Sequence, residues 1–362
     1  VLISPAWQER ELEHALGLTS PAVAVVDAAH AEMLQGRFAG EVISADAATG
    51  AAGAMSFWEL LRAETGASIR CDFDPDETEL VLPFSSGTTG LPKAVRHTHR
   101  SIVVASYQWK MALGMDASDC LQTFTPLAHI LGVANLGAGF ASGARHRLFE
   151  RFDVGAVLES IEVDRVTIGI TVAPVASALT NFPELASFDL SSLRFIDWCA
   201  TPVVPEVARR FEDLTGIRWH TAYGCSEAPV LTANPIERPD LWRLDSPGIP
   251  VNDVELKIAD PETGEERAPG EVGEIWVRSP NRMAGYLPEE ANETVLPGDG
   301  WYRTGDLGHV EPGGWLHLTD RLKEMIKVSG FQVSPAEVEA ALLAHTDVLD
   351  CAVFGVPDTR RG

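Results

Sequence analysis

The chain has 362 residues, enough for two to three domains at about 150 residues each, so a single small module is excluded. Its 28 Lys and Arg against 52 Asp and Glu give a formal net charge of −24, which argues against a general binder of nucleic-acid backbones but allows a local basic pocket. With 45% hydrophobic and 22% charged residues a sizeable core can form, and five widely spaced cysteines without a CxxC pair indicate no disulfide framework and a reducing cytoplasm.

Residues 9–18 have a helical pattern, 22–26 form a short apolar run expected as a buried strand, and 57–65 are helical again. This is the rhythm of an α/β domain. An acidic, turn-rich stretch at 71–78 leads into an apolar strand at 79–84 and then into the loop Ser85-Ser86-Gly87-Thr88-Thr89-Gly90-Leu91-Pro92-Lys93. A helix is expected over 101–113. Closely spaced backbone N–H groups, hydroxyls and one lysine in such a loop can cradle a polyphosphate. A plain Ser/Gly/Thr turn is the ordinary alternative, and it is the order of the residues that sets this loop apart. The P-loop pattern GxxxxGK[ST] does not fit, because Pro92 precedes Lys93 and Ala94 follows it, so a kinase or GTPase of that class is excluded.

Alternation continues with helices at 154–162 and 204–215 and strands at 166–170, 193–196 and 217–220. The most apolar stretch, 168–179, carries Thr171, Pro174 and Ser177 and is shorter than the ~20 residues a bilayer needs, so it is expected as core and no membrane insertion is expected. From about residue 248 the texture changes to strands separated by Gly and Pro turns (254–258, 273–277, 315–318), expected as a small β-barrel-like unit. A charged segment opens at Asp320, and Ser334-Pro335-Ala336-Glu337 has the cap, first-turn Pro and acidic residue of a helix start. Residues 349–356 are expected as its next strand. No signal peptide, repeat or low-complexity tract is visible. The start at Val1 without Met, and the end at Gly362 just after an apolar run, suggest a fragment at both ends.

The loop from Ser85 to Lys93 resembles the signature of the adenylate-forming superfamily, which includes acyl- and aryl-CoA synthetases, nonribosomal adenylation domains and beetle luciferases. It departs at Ala94, where glycine is usual; a methyl there is tolerated if φ is negative. Further segments carry the resemblance in order. Pro126-Leu127-Ala128-His129-Ile130-Leu131-Gly132 is similar to the stretch in which an aromatic precedes a histidine at the acyl pocket, with Ala128 in place of the aromatic. Trp198-Cys199-Ala200-Thr201-Pro202 resembles the small-residue turn beneath the adenine. Cys199 replaces a usual glycine, and a reactive thiol there is an alternative without an evident base. Ala222-Tyr223-Gly224-Cys225-Ser226-Glu227 resembles the Tyr-Gly-x-Thr-Glu motif. After it, Ala228-Pro229-Val230 is one residue shorter than the related aryl-CoA ligases, so the acid is not implied. Gly273 to Pro280 and Met283 to Tyr286 resemble a structural signature with no assigned chemistry. Trp301 to Asp306 is similar to the ribose-binding turn, although a turn-capping Asp would look alike. Asp320 to Pro335 resembles the hinge.

The resemblance implies these roles. Lys93, His129 and Glu227 are catalytic, with Glu227 also the Mg²⁺ ligand. Ser85, Ser86, Gly87, Thr88, Thr89, Gly90, Lys93, Ala200, Thr201, Pro202, Tyr223, Gly224, Ser226, Asp306, Arg321, Lys327 and Gln332 bind ATP and AMP. Lys323 is the hinge pivot, Ser329 and Gly330 meet CoA, and His129, Trp198, Ala222, Pro229 and Val230 line the acyl pocket. The implied fold is α/β: a large layered AMP-binding domain over 1–320, N-terminally incomplete, with a β-rich subdomain at about 248–319. A hinge and the start of a small α+β domain follow at 321–362. The implied reaction activates a carboxylic acid with ATP and Mg²⁺ to an acyl-adenylate, then passes the acyl group to coenzyme A with release of AMP and pyrophosphate, most similar to 4-coumarate or medium-chain fatty acyl ligases. Alternatives are a domain that loads a carrier protein and a catalytically impaired nucleotide-binding fragment. The family's adenylation lysine lies beyond Gly362, so poor adenylation by these 362 residues is expected. No nucleic-acid partner is expected, and the oligomeric state is open.

Overall fold

In a computed structural model, the structure describes residues 1–46, 54–63, 66, 71–85, 91–328, 331–335, 338–339, 342, 348 and 351–356, with 327, 328, 331 and 332 described by their backbone alone. The chain opens with a three-stranded parallel sheet, Val23–Val26, Glu41–Ser44 and Met55–Ser56. The first of these was expected to be buried, but Val23 and Val25 are 45% and 58% exposed, because helix Glu9–Thr19 gives only Leu12 and Ala15 to the interior.

The main sheet has seven strands, in the spatial order Ile249–Pro250, Ala228–Ala233, Trp219–Cys225, Phe195–Trp198, Ile168–Thr171, Cys120–Thr123, Arg145–Leu148. The last five in that order are mutually parallel, and Ala228–Ala233 runs antiparallel to both of its neighbours. Parallel strands demand cover on both faces. Helices His99–Ala112 and Ile130–Ser142 cover one face through Trp109, Ala112, Ala134 and Ala138; Val154–Asp164, Ala173–Thr180 and Pro205–Thr215 cover the other through Leu158, Ile161, Leu179 and Phe211. Period-two alternation divides Phe195–Trp198 between the two cores, Phe195 to the first and Ile196 and Trp198 to the second. The helices start where the sequence supplies acceptors: Thr98 accepts from the Ser101 N–H and Asp153 from the Ala156 N–H, and Pro205 opens the last helix.

The expected β-barrel-like unit is instead an open four-stranded antiparallel sheet, Glu255–Ala259, Gly273–Arg278, Tyr302–Val310 and Leu316–Arg321, whose edge strands do not meet. Strand Lys93–Thr98 lies between Glu79–Val81 and Gly285–Leu287, and its first residues pair with Phe84–Ser85. A third core joins these sheets to the main one through Val95, Tyr223, Leu231, Ile275, Met283, Tyr286 and Tyr302. Residues 351–356 are not in a strand, against expectation, whereas residues 335, 338, 339 and 342 are helical as expected, with the Ser334 carbonyl accepting from the Val338 N–H at 3.4 Å and the Ser334 hydroxyl donating to the Asp320 carboxylate. No described helix is long and apolar enough to cross a membrane.

Candidate active site

The site lies at the carboxyl ends of the parallel strands, where open α/β sheets bind ligands. Its centre is a tight hairpin. Cys225 pairs with Ala228, so Ser226 and Glu227 occupy the two-residue tip between Trp219–Cys225 and Ala228–Ala233. The strands are so close before that tip that a Cβ on Gly224 would stand 2.1 Å from the Pro229 carbonyl oxygen. Glycine is required there by space.

Glu227 is buried, and Tyr286 donates its hydroxyl to Glu227 Oε1 at 2.6 Å. Lys93, first residue of its strand, holds its Nζ 4.8 Å from the centre of the same Tyr286 ring. Burial beside Glu227 pushes the Tyr286 phenol far up, so it stays protonated and keeps donating. No other hydrogen bond to the Glu227 carboxylate is present among the described residues, so its second oxygen can take a hard cation. Behind the tip, the buried His97 bonds the Ser226 carbonyl through Nε2 at 2.8 Å and Ser101 Oγ through Nδ1 at 3.1 Å. A carbonyl only accepts, so Nε2 carries the proton. Desolvation lowers the His97 pKa to about 4, and the ring is neutral at pH 7.

A second group sits beside this one. Gly305, at φ +74°, turns the chain so that Asp306 points to Tyr223, which donates its hydroxyl to Asp306 Oδ2 at 2.5 Å. Arg321 Nε stands 3.3 Å from the other oxygen. Burial raises the Asp306 pKa, against the opposing pull of Tyr223 and Arg321. A ribose diol can therefore reach Asp306 by sharing the loosely held Oδ1 with the half-exposed Arg321.

The remaining sequence-derived residues divide. Ser85 pairs with Lys93, which closes the base of the phosphate loop; Ser86, Gly87, Thr88, Thr89 and Gly90 lie outside the described residues. Ala94 is buried in its strand without positive φ, so the methyl is accommodated. Ala200 is exposed at φ +61° on the turn after Phe195–Trp198, with Pro202 exposed beside it. Thr201 accepts from the Ala173 N–H at 2.8 Å and from the Trp198 indole, so it caps a neighbouring helix. Cys199 is buried, and desolvation raises its thiol pKa well above the ordinary value, which counts against a nucleophile. His129 stands exposed at the N-cap of Ile130–Ser142, its Nδ1 accepting from the Leu131 N–H, which leaves Nε2–H as the outward donor. Desolvation by the surrounding chain lowers its pKa.

Trp198 requires correction as an acyl-pocket residue. It packs edge-on against Trp219 at 5.2 Å within the helix-covered core, because its strand runs to 198 and the alternation turns its ring away from the site. Val230 is likewise core, packed with Ala222 and Cys199 on the other face, while Pro229 is only partly buried. Lys323 is exposed in the turn after Arg321. Lys327 and Gln332 pair across a two-stranded ribbon, and Ser329 and Gly330 between them lie outside the described residues. Two residues were missed: Tyr286, read only as packing, and His97, which lies 129 positions from its partner Ser226. A Tyr flanked by Gly285 in a buried strand was the one available signal for the former.

Residues 1–287 match the AMP-binding enzyme family. A 4-coumarate--CoA ligase 2 from Oryza sativa subsp. japonica is 38% identical over 325 residues, 86% of this chain and 56% of that protein. A 4-coumarate-CoA ligase 1 from Narcissus pseudonarcissus is 34% identical over 99% of this chain and 68% of its own. The chain thus spans little more than half the length of the rice relative. Among solved structures, the amide bond synthetase McbA from Marinactinospora thermotolerans superposes with a TM-score of 0.86 at 32% identity, over 100% of this chain and 72% of that one. The anthranilate CoA ligase AuaEII, in complex with anthranoyl-AMP, gives 0.88 at 26% identity, over 98% and 69%. With its layered α/β fold, its hairpin-borne Glu227 and these relatives, the chain belongs to the AMP-binding enzyme family of adenylate-forming enzymes.

Proposed function

We propose that this chain carries the nucleotide site of an AMP-forming acyl- or aryl-CoA ligase, which joins a small carboxylic acid to ATP as an acyl-adenylate and then to coenzyme A. The observation that carries the reading is Tyr286, whose hydroxyl holds Glu227 while its ring lies under Lys93, so that a cation-binding carboxylate and a phosphate-binding ammonium share one anchor.

The first step brings two anions together, and its barrier falls with charge neutralisation and in-line positioning. Lys93 supplies one positive charge beside the loop that starts at Ser85. Glu227 would hold the Mg²⁺ that travels with ATP, which supplies Lewis-acid neutralisation of the phosphates. Tyr223 and Asp306 offer an aromatic face and a carboxylate for adenine and ribose, with Arg321 completing the charge balance. His129 presents Nε2–H as a neutral donor toward the acid. Residues 321–362 we read as the hinge and opening of a smaller domain, pivoting at Lys323, with Lys327 and Gln332 near the adenylate and Ser329-Gly330 toward CoA. Rotation there would let the thiol approach after the adenylate forms.

The test is a panel of aryl and fatty carboxylic acids assayed for CoA-dependent AMP release, with mass detection of the thioester. AMP release that is independent of CoA, or a carrier-bound product, overturns the CoA assignment. The nucleotide site itself is tested by calorimetric titration with AMP: we expect binding that Asp306→Ala abolishes.

A further inference from the structure

Three potential metal ligands meet away from the nucleotide site, at the other end of the hairpin that carries Asp306. His309 on Tyr302–Val310 and His317 on Leu316–Arg321 are direct cross-strand partners, and their rings stack 4.8 Å apart at an interplanar angle of 8°. Glu311 follows at the hairpin turn, with Oε1 3.0 Å from His317 Nε2. One ligand atom from each of the three lies within 4.8 Å of the others.

The hydrogen bonding at this cluster is incomplete in a telling way. His309 Nδ1 and His317 Nε2 are both withdrawn from solvent and make no hydrogen bond, the latter because its close approach to Glu311 lacks the alignment of one. Buried polar atoms are seldom left unpaired. Arg243 occupies the other carboxylate oxygen, Nη1 to Oε2 at 2.9 Å, and pairs with Asp245 through its other nitrogens. Glu311 is thereby oriented with Oε1 directed at the His317 ring. Arg243, Glu311 and Asp245 sum to one negative charge beside the two imidazoles, so the pocket favours a cation. Glu311 is 38% exposed, which gives an entry path and room for a water.

We propose that His309, His317 and Glu311 form a binding site for a divalent transition-metal ion of the zinc class. Two imidazoles and one carboxylate select such ions over Mg²⁺ and Ca²⁺, which prefer all-oxygen shells. A tetrahedral zinc with bonds of about 2.0–2.2 Å needs ligand atoms about 3.4 Å apart, so binding would draw the three side chains together from their present spacing of up to 4.8 Å. The bound ion clips the tip of the hairpin whose opposite end pairs Asp306 with Arg321. The site does not depend on the reaction assigned to the nucleotide pocket.

The experiment is calorimetric titration of the metal-stripped chain with Zn²⁺ at pH 7.5, repeated on His309→Phe and His317→Phe, which keep an aromatic pair across the strands. The expected result is one Zn²⁺ per chain in the unsubstituted protein, at least about tenfold weaker in either variant, with a melting temperature that Zn²⁺ raises only in the former. Co²⁺ in place of Zn²⁺ should show no thiolate charge-transfer band, which separates this site from the five cysteines. No stoichiometric uptake, uptake in the two variants as strong as in the unsubstituted protein, or a thiolate band overturns the proposal. Should the phenylalanine variants fold poorly, Glu311→Gln on the exposed side decides it: weaker uptake supports the site and unchanged uptake sinks it.

Discussion

Among the described residues Glu227 is held by a single neutral donor, and that makes Tyr286 the most informative residue to alter. Tyr286→Phe keeps the ring beneath Lys93 and deletes only the hydroxyl, so the buried carboxylate loses its 2.6 Å partner. Hydrogen bonds to charged groups contribute about 1.5–3 kcal/mol. We expect Mg²⁺-ATP binding, read by calorimetry, to weaken by about ten- to a hundredfold, with AMP binding in the absence of metal nearly unchanged. Equal loss for both ligands would mean that Tyr286 serves packing alone. His97 gives a second residue-scale prediction through pH. Its folded pKa of about 4 lies below the ordinary 6.5, so the unfolded chain binds more protons between these values. The stabilisation is therefore complete above pH 6.5 and is lost as pH falls toward 4, by about 3 kcal/mol if the whole shift is expressed. Denaturant melts across that window should show a smaller pH slope for His97→Gln than for the unsubstituted protein, and parallel slopes would refute the buried neutral histidine.

At the scale of elements, the hairpin Trp219–Cys225/Ala228–Ala233 concentrates the chemistry, and its geometry leaves no space for a side chain at Gly224. The nearest atoms to an added Cβ are backbone, the Pro229 carbonyl at 2.1 Å, so relief requires the strands to part. Gly224→Ala should cost more than about 2 kcal/mol by overpacking and should remove AMP binding with it, since Tyr223 and Glu227 flank the bend. Chemical denaturation together with calorimetry checks both, and normal stability in this variant would contradict the close approach. The same element shows why some of the site was legible in sequence and some was not. Tyr223, Gly224 and Glu227 stand together in one short run and could be read at once, as could Asp306 on its glycine turn. Tyr286 and His97 act on that run from strands 59 and 129 positions away, and only the pairing of Lys93–Thr98 with Gly285–Leu287 brings them in. Trp198 was misplaced because the strand was expected to end at 196. Extending it to 198 fixes the parity of the side chain, and parity decides which core it enters.

For the molecule as a whole, α/β alternation was readable because buried parallel strands and amphipathic helices differ in period, whereas the open β-sheet could not be told from a barrel. Closure is a matter of which edges meet, and no strand carries that in its own sequence. The charge, by contrast, is a global quantity that the sequence states outright, and it has a consequence for stability. A net charge of −24 on 362 residues repels itself, and the described ion pairs offset this mostly at the surface, as Arg278–Glu255 and Arg165–Asp189 do. Exposed pairs of that kind each contribute about 0–1 kcal/mol and weaken as salt rises. Self-repulsion acts over longer distances and is screened by the same salt, with a Debye length of about 10 Å at 0.1 M. Repulsion among many unpaired carboxylates outweighs a few weak pairs, so the melting temperature should rise by several degrees between low salt and about 0.15 M NaCl. The opposite sign, a melting temperature that falls with added NaCl, would mean that the surface ion pairs outweigh the net charge.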